Sequence, residues 1–340
     1  MIWLAFRRHR TNLLIAAGLT VVLSIWMALV GHWYDTAPET AYRVAGDAVE
    51  HYRNLYQGTT IFRLPYQIDA INLLLLAFPC VLGVLLGVPL VAAELDDRTN
   101  RLAWTQRISR TRWLTTKWWV VGLPLVVLSV ILTLVAQWWS HHVGASGIGA
   151  ILGPGLFSGS GRMQPEVFSV TGIVPIAYTV FAFSLGAALG ALLRRVTWSI
   201  VGALLMYAAV SLVMVTTIRP NLAPQAFVPF SSNGGSFSTL TVSSGGGAPW
   251  YLGSGYQFVD GSDHPGHMSA AQVGLTCEKE NPILPTGYIA CLSHNHVQEG
   301  EFYQLATNYW SIQWRESLIY VATAAVLLVT GLVLVRRWRA

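Results

Sequence analysis

The sequence of 340 residues contains little charge: only 11% of its residues are Asp, Glu, Lys or Arg, against roughly 25% in soluble globular domains. Because 53% of the residues are hydrophobic, an ordinary soluble domain is excluded. The chain contains only two lysines, Lys117 and Lys279. Neither follows a glycine-rich turn, so the chain has no G-x-x-x-x-G-K-[ST] motif, whose backbone N–H groups cradle phosphates. The chain therefore cannot hydrolyse ATP through a P-loop of its own.

Long apolar stretches without charge are what the sequence has in abundance. Each is about as long as the roughly 20 apolar residues that cross a bilayer. Lipid offers the backbone no hydrogen-bond partners, so such segments must be helical. We predict an all-α polytopic membrane protein with six transmembrane helices, at residues 11–34, 70–93, 118–139, 167–193, 196–218 and 315–335. The first stretch exceeds the 7 to 15 apolar residues of a signal peptide, which predicts a retained helix.

The basic residues indicate the orientation of these helices. Fourteen of the 21 basic residues lie in four short segments, and thirteen of the 16 acids lie on the opposite side. The basic segments are residues 1–10, 94–117, 194–195 and 336–340. Because basic segments stay inside, both termini are predicted to be cytoplasmic. The net charge of +5 then reflects topology and not binding to nucleic acid. The excess of arginine over lysine indicates a GC-rich bacterial genome, so the expected location of the six spans is a bacterial plasma membrane.

Four segments outside the helices have their own predictions. Residues 1–10 form either a short interfacial helix or a plain basic anchor. Residues 35–69 form an outer loop, with a helical stretch at 40–56. Residues 140–166 form another, in which 148–157 either dip into the membrane or remain an ordinary loop. Residues 219–314 form a small extracytoplasmic segment of irregular or mixed structure, with strand-like pieces such as 237–243.

The cysteines, the outer histidines and one pair of opposite charges have their own predictions. Cys277 and Cys291 lie on the oxidising side, where a disulfide between them would staple the outer segment, and Cys80 is expected to pack within the second span. The outer histidines complete no metal-ligand pattern, so no metal is expected. Arg315 and Glu316 are expected to anchor the sixth helix at the interface, with a gating role as the alternative.

The inner loop between the second and third spans carries the most informative pattern. Trp104 and Ile108 are four residues apart and share a helix face, with Arg107 and Arg110 beside it. Such an element can insert an aromatic anchor into a groove of a partner while arginines pair with acids at the rim. The alternative is a positively charged loop that lies on the inner leaflet.

This loop resembles that of permease subunits of type-2 ABC transporters, the drug and polysaccharide exporter superfamily, and of actinobacterial members in particular. In these permeases an acidic residue ends the second span and is followed by the sequence G-T-x-R-L. A turn, the dipeptide S-R and a lysine at the start of the third span then follow. The matching residues are Glu94, Thr99, Arg101, Leu102, Ser109, Arg110 and Lys117. The chain departs from the pattern at Arg98, usually glycine, and at Arg107, where proline is common.

The resemblance implies a membrane-spanning permease subunit that is not itself an enzyme and binds no cofactor. Two separate ATPase subunits would hold ATP and Mg²⁺, and the second permease would be another copy, giving a homodimer, or a similar protein. The cargo of such an exporter would be amphipathic or hydrophobic: a drug, as in multidrug efflux, an antimicrobial peptide or a lipid-like product. The ATPase-coupling residues would be Glu94, Arg98, Thr99, Arg101, Leu102, Trp104, Arg107, Ile108 and Arg110.

The family arrangement would also place the second and fifth spans beside the cargo path. The candidate cargo-facing residues are Asn72, Phe78, Ser211, Met214 and Thr217, with simple helix packing as the alternative for each. Gly83-x-x-x-Gly87 and Gly186-x-x-x-Gly190 would let helices approach closely. Two other classes remain as alternatives: a membrane receptor or sensor whose outer segment binds a ligand, and a membrane-embedded enzyme.

Overall fold

The computed structural model describes residues 2–36, 60–93, 109–144, 162–230, 249–260, 269–280 and 285–337. The helices in this part of the chain are α1 (Ile2–Thr36), α2 (Thr60–Gly87), α3 (Arg110–Gly144), α4 (Pro165–Val170), α5 (Val174–Leu193), α6 (Val196–Val213), α7 (Ala270–Glu280), α8 (Pro285–His294) and α9 (Tyr309–Arg337). The strands are β1 (Ala226–Pro229), β2 (Trp250–Phe258) and β3 (Val297–Gln304). A π-helical turn (Met214–Ile218) and a 3₁₀ turn (Arg219–Asn221) follow α6.

The six predicted membrane-spanning helices are present. Among the described residues, six helical segments are long and apolar enough to cross a bilayer, and they lie in α1, α2, α3, α5, α6 with its two following turns, and α9. Several helices are longer than the apolar runs, because hydropathy marks only the part within lipid. Residues 2–10 are the first turns of α1 and not a separate element. Similarly, α3 begins at Arg110, within the segment assigned to the inner loop, where Ser109 Oγ accepts a hydrogen bond from Arg112 N–H at 3.3 Å.

The fourth span differs from the single helix predicted at 167–193. Its helix is interrupted at residues 171–173, between α4 and α5. Gly172 adopts a left-handed conformation with φ of +75°, which favours glycine. Pro175 lies in the first turn of α5, a position that tolerates proline because no intrahelical partner for its N–H exists there. These two residues explain the interruption.

Helix α5 lies at the centre of the membrane part and packs against α2, α3, α6 and α9. The predicted close approach of glycines occurs between α2 and α5. A Cβ atom added at Gly83 would lie 2.5 Å from Ala182 Cβ, and one added at Gly87 would lie 2.4 Å from Phe183 O. Only glycine allows these two backbones to come so close. On the other side of the contact, Gly186 faces Val88.

The segment between the fifth and sixth spans, which the basic residues predict to be extracytoplasmic, contains a small domain of mixed structure. We call its described residues, 226–304, the outer domain, and we name the two ends of each span inner and outer by the same prediction. Its antiparallel sheet has the order β1-β3-β2, with Phe227 opposite Phe302 in one pair and Tyr251 opposite Tyr303 in the other. Helices α7 and α8 pack against this sheet. The structure contains the predicted disulfide between Cys277 and Cys291, which joins these two helices. The predicted elements at 40–56, 148–157 and 237–243 lie outside the described residues.

Candidate functional site

Most of the predicted coupling residues lie outside the described part of the chain. These are Glu94, Arg98, Thr99, Arg101, Leu102, Trp104, Arg107 and Ile108. Arg110 is the first residue of α3, and only its backbone is described. The structure does describe both ends of the inner loop, at residues 88–93 and from Ser109 onward.

The two ends of the inner loop are connected through Lys117. Helix α2 ends at Gly87 and the chain turns at residues 88–91. At this turn, Lys117 Nζ donates a hydrogen bond to the carbonyl oxygen of Leu90 at 3.2 Å. Leu90 lies in the turn beyond the end of α2, and a buried backbone carbonyl there needs a hydrogen-bond donor. The lysine therefore fixes the third span to the point where the second span ends.

Apolar packing strengthens this connection. The ammonium group of Lys117 lies 3.8 Å from the ring centroid of Trp113, within the range of a cation–π contact. Trp113 and Leu114 are buried together with Leu86 and Leu90 of the second span. We call Leu90, Trp113, Leu114 and Lys117 the inner hub. A displacement of the inner loop would act on both spans through this hub.

The five candidate cargo-facing residues differ in burial and surroundings. Phe78 lines a shallow cavity with residues of the third and fourth spans, beside the hydrogen bond between Ser129 Oγ and Thr179 Oγ1 at 3.0 Å. Asn72 and Ser211 are half-buried, whereas Thr217 is exposed. Met214 is 2% exposed in the largest apolar cluster, where helix packing accounts for it.

The outer ends of the spans contain a buried ion pair that joins the fifth and sixth spans. Arg219 is 1% exposed and Glu316 is 0% exposed. The guanidinium Nε donates to Glu316 Oε2 at 2.8 Å, and Nη2 donates to Oε1 at 3.0 Å. This two-pronged geometry is the strongest form of an arginine–carboxylate contact.

The same arginine also binds the fourth span. Its Nη2 lies 2.7 Å from Tyr178 Oη and 3.0 Å from Ser169 Oγ, and its Nη1 donates to Pro165 O at 3.2 Å. Tyr178 Oη in turn donates to Glu316 Oε1 at 2.6 Å. We call Arg219, Glu316, Tyr178 and Ser169 the outer polar cluster. It connects four elements: α4, α5, the 3₁₀ turn after α6, and α9.

Gln313 satisfies the backbone where the fourth span is interrupted. Its Oε1 accepts hydrogen bonds from the N–H groups of Ile173 and Val174, both at 3.0 Å. Its Nε2 donates to the carbonyl oxygens of Phe168 and Thr171, both at 3.1 Å. Unpaired peptide groups are costly in a low-dielectric region. One side chain of the sixth span therefore allows the interruption next to the outer polar cluster.

The structure corrects the expectation for Glu316. The prediction that Glu316 anchors the sixth helix at the interface is wrong, because its carboxylate is buried and pairs with a residue 97 positions away. Its neighbour Arg315 is exposed and donates to the carbonyl oxygen of Leu222. One signal in the sequence could have indicated the pair. Arg219 and Glu316 carry opposite charges and lie at the outer ends of the fifth and sixth apolar runs.

Tyrosines of the outer domain pair with carboxylates. Tyr288 Oη donates to Glu299 Oε2 at 2.8 Å, and burial followed by hydrogen bonding raises the pKa of Tyr288 above its usual value. The hydrogen bond from Tyr303 to Glu301 raises the pKa of Tyr303 to about 12. Within the described residues, no group of three or more His, Cys, Asp or Glu side chains could hold a metal ion.

Comparison with known proteins identifies the family. The family described as ABC-2 membrane transporter related matches residues 12–219, which is more than half of the 340 residues. The matched part includes the first five spans, the inner loop and Arg219. No curated protein and no solved structure matches the chain significantly. The match confirms the resemblance carried by the inner loop: the chain belongs to the ABC-2 membrane transporter related family and is a multi-pass membrane protein of the ABC-2 permease type.

Proposed function

We propose that the chain is the transmembrane subunit of an ATP-driven exporter for an amphipathic or hydrophobic cargo. Membership of the ABC-2 family implies an ATPase partner, and the chain itself has no P-loop. Two ATPase subunits would bind from the cytoplasmic side to a pair of permeases, either two copies of this chain or this chain and a similar one.

The inner hub is the observation that best supports this proposal. The segment 94–108 connects two spans whose inner ends are tied through Lys117 and Leu90. A force applied by a partner to this segment would reach both spans at once. Burial of an ammonium group is costly, which favours a mechanical role for Lys117 at the base of this segment over a loop that only lies on lipid.

The path of the conformational change follows from the helix contacts. ATP binding would close the ATPase pair and press on the coupling segment. The displacement would pass from the second span to α5 through the backbone contact of Gly83 and Gly87 with Ala182 and Phe183. Helix α5 packs against α9 and α6, so rocking of the second span would reorient the outer ends.

The choice of an amphipathic or hydrophobic cargo rests on the likeness of the chain to drug and polysaccharide exporters. The cavity beside Phe78 does not bear on this choice, because its volume of about 10 Å³ holds no more than one water molecule. Drugs, antimicrobial peptides and lipid-like products are the cargoes that the resemblance implies.

Replacement of Trp104 by alanine tests the coupling proposal. If this indole is the anchor in a groove of the ATPase, Trp104→Ala should weaken assembly by on the order of 2 kcal/mol or more. Arg107→Ala, at the expected rim, should weaken assembly less and should mainly reduce its dependence on salt. Co-purification of each variant with the ATPase partner across a salt series measures both effects.

Trp119→Ala is the matched control, because the indole of Trp119 at the start of the third span is 72% exposed. This control should assemble like the parent. Normal complexes from Trp104→Ala at every salt concentration would contradict the proposal, and would favour a loop that lies on the inner leaflet.

A further inference from the structure

The link between the fifth span and the outer domain, residues 220–225, is held by hydrogen bonds to three of its carbonyl groups. Gln304 Nε2 donates to the carbonyl oxygens of Pro220 and Ala223, both at 2.8 Å. Asn308 Nδ2 donates to the carbonyl oxygen of Pro224 at 3.1 Å. The donors come from the end of β3 and the turn before α9. The link therefore cannot move independently of the start of the sixth span.

The outer polar cluster extends this rigid region to the fourth span. Neither α4 nor α5 adjoins the outer domain along the chain. Arg219 directly precedes the link, and its guanidinium group forms hydrogen bonds with Pro165, Ser169 and Tyr178 of the fourth span. These contacts lie at the position where the link leaves the membrane part, so they set the placement of the outer domain relative to the fourth span.

Burial makes the cluster a poor candidate for a gate that opens. Aromatic rings surround it, with the centroids of Tyr178 and Tyr320 4.7 Å apart and Phe168 4.7 Å from the guanidinium carbon of Arg219. Separating the pair would leave two opposite charges uncompensated at side chains that are at most 1% exposed, which is strongly unfavourable. A contact of this kind is more stable as a permanent joint than as a switch.

We infer that Arg219 and Glu316 are positioning residues that join the outer domain and the outer ends of the fourth, fifth and sixth spans into one rigid unit. When the spans rock, this unit moves as a body and carries the outer domain with it. The inference concerns the mechanics of this chain alone and holds for any cargo.

A distance measurement between the outer domain and the fourth span tests the inference. Spin labels are placed at Leu275→Cys in α7 and Leu192→Cys in α5, where both parent side chains are exposed, in a Cys80→Ala background with the disulfide intact. The full chain in lipid nanodiscs should give a narrow distance distribution. Arg219→Lys keeps the charge but loses the planar fork, and should give a distribution about twice as wide.

A neutral variant separates positioning from folding. Arg219→Met/Glu316→Leu/Tyr178→Phe fills the same space without directed hydrogen bonds. It should fold and yet give the same broad distribution as Arg219→Lys. Arg195→Lys, at an exposed arginine on the inner side, is the matched control and should match the parent. A second label pair, Leu192→Cys with Val333→Cys, reports the packing of α5 on α9 and should stay narrow throughout.

Two results would overturn the inference. One is a parent-like distribution for Leu275 and Leu192 in either Arg219→Lys or the neutral variant. The other is failure of the neutral variant to fold, because the cluster would then be needed for folding and not for positioning.

Discussion

Replacement of Glu316 by leucine tests how much the outer polar cluster contributes to the free energy of unfolding. In the parent protein the Glu316 carboxylate accepts two hydrogen bonds from Arg219 and one from Tyr178. Glu316→Leu would leave the guanidinium group, which is 1% exposed, without its counter-charge. Breaking a buried ion pair by removing one partner costs about 3 to 5 kcal/mol, whereas an unsatisfied neutral donor costs about 1 to 3 kcal/mol. We expect the larger loss.

Removing both charges of the pair together should recover most of the stability that Glu316→Leu loses. Well-packed apolar residues often replace a buried ion pair with no loss of stability. The variant Arg219→Met/Glu316→Leu/Tyr178→Phe should therefore lie within about 1 kcal/mol of the parent, apart from small packing changes. Unfolding in mixed micelles of increasing SDS content, followed by tryptophan fluorescence and circular dichroism, measures the free energies. Glu278→Leu, at an exposed residue of α7, is the control and should change stability by less than about 0.5 kcal/mol.

The pattern of results decides between two explanations. If uncompensated charge is the cause, the single variant is far less stable than the triple variant. If Glu316→Leu costs no more than the Glu278→Leu control, or if the triple variant loses as much as the single one, the energetic argument for the cluster is refuted.

Three further predictions concern other parts of the chain. Lys117→Met removes the hydrogen bond to Leu90 and the contact with Trp113. It should leave the affinity for the ATPase partner unchanged but lower the rate of ATP hydrolysis in the complex. Titration of the partner with each permease, followed by binding and by the ATPase rate, measures both. Reduction of the Cys277–Cys291 disulfide, which spans 14 residues, should destabilise the outer domain by about 3 kcal/mol, with faster hydrogen exchange in α7 and α8 and unchanged exchange in α5. The outer domain should lose stability as pH rises from about 10 towards 12, because the pKa of Tyr303 is about 10 in the unfolded chain and about 12 in the folded chain. Tyr303→Phe should reduce this loss in a pH series of unfolding curves.

The membrane part of the fold could be predicted because one physical requirement dominates it. Charge-free runs must be helical in lipid, which was enough to find all six spans. Their ends were less predictable, since helices such as α1 and α3 continue beyond the apolar runs that mark the spans. Gly172 and Pro175 stand in the sequence, yet we predicted a continuous helix there. The side chain that satisfies the freed backbone groups, Gln313, belongs to another helix and lies 140 positions from Ile173.

The polar contacts were harder to predict because they join distant parts of the chain. Arg219 and Glu316 are 97 positions apart, and no local pattern relates them. Lys117 was recognised as part of the inner-loop motif, yet its burial and its contact with Leu90 follow from the packing of two helices. In contrast, Cys277 and Cys291 could be paired in advance because they share one oxidising segment.

The most direct test of the central claim is an ATPase measurement on the purified chain, alone and with its ATPase partner, in lipid nanodiscs. A partner carrying a substitution in its P-loop lysine excludes contaminating activity. The account predicts no hydrolysis by this chain alone, and hydrolysis in the complex that depends on the partner's P-loop and changes when the permease is present. ATP hydrolysis by the chain alone, or a partner ATPase that neither binds this chain nor responds to it, would contradict the account.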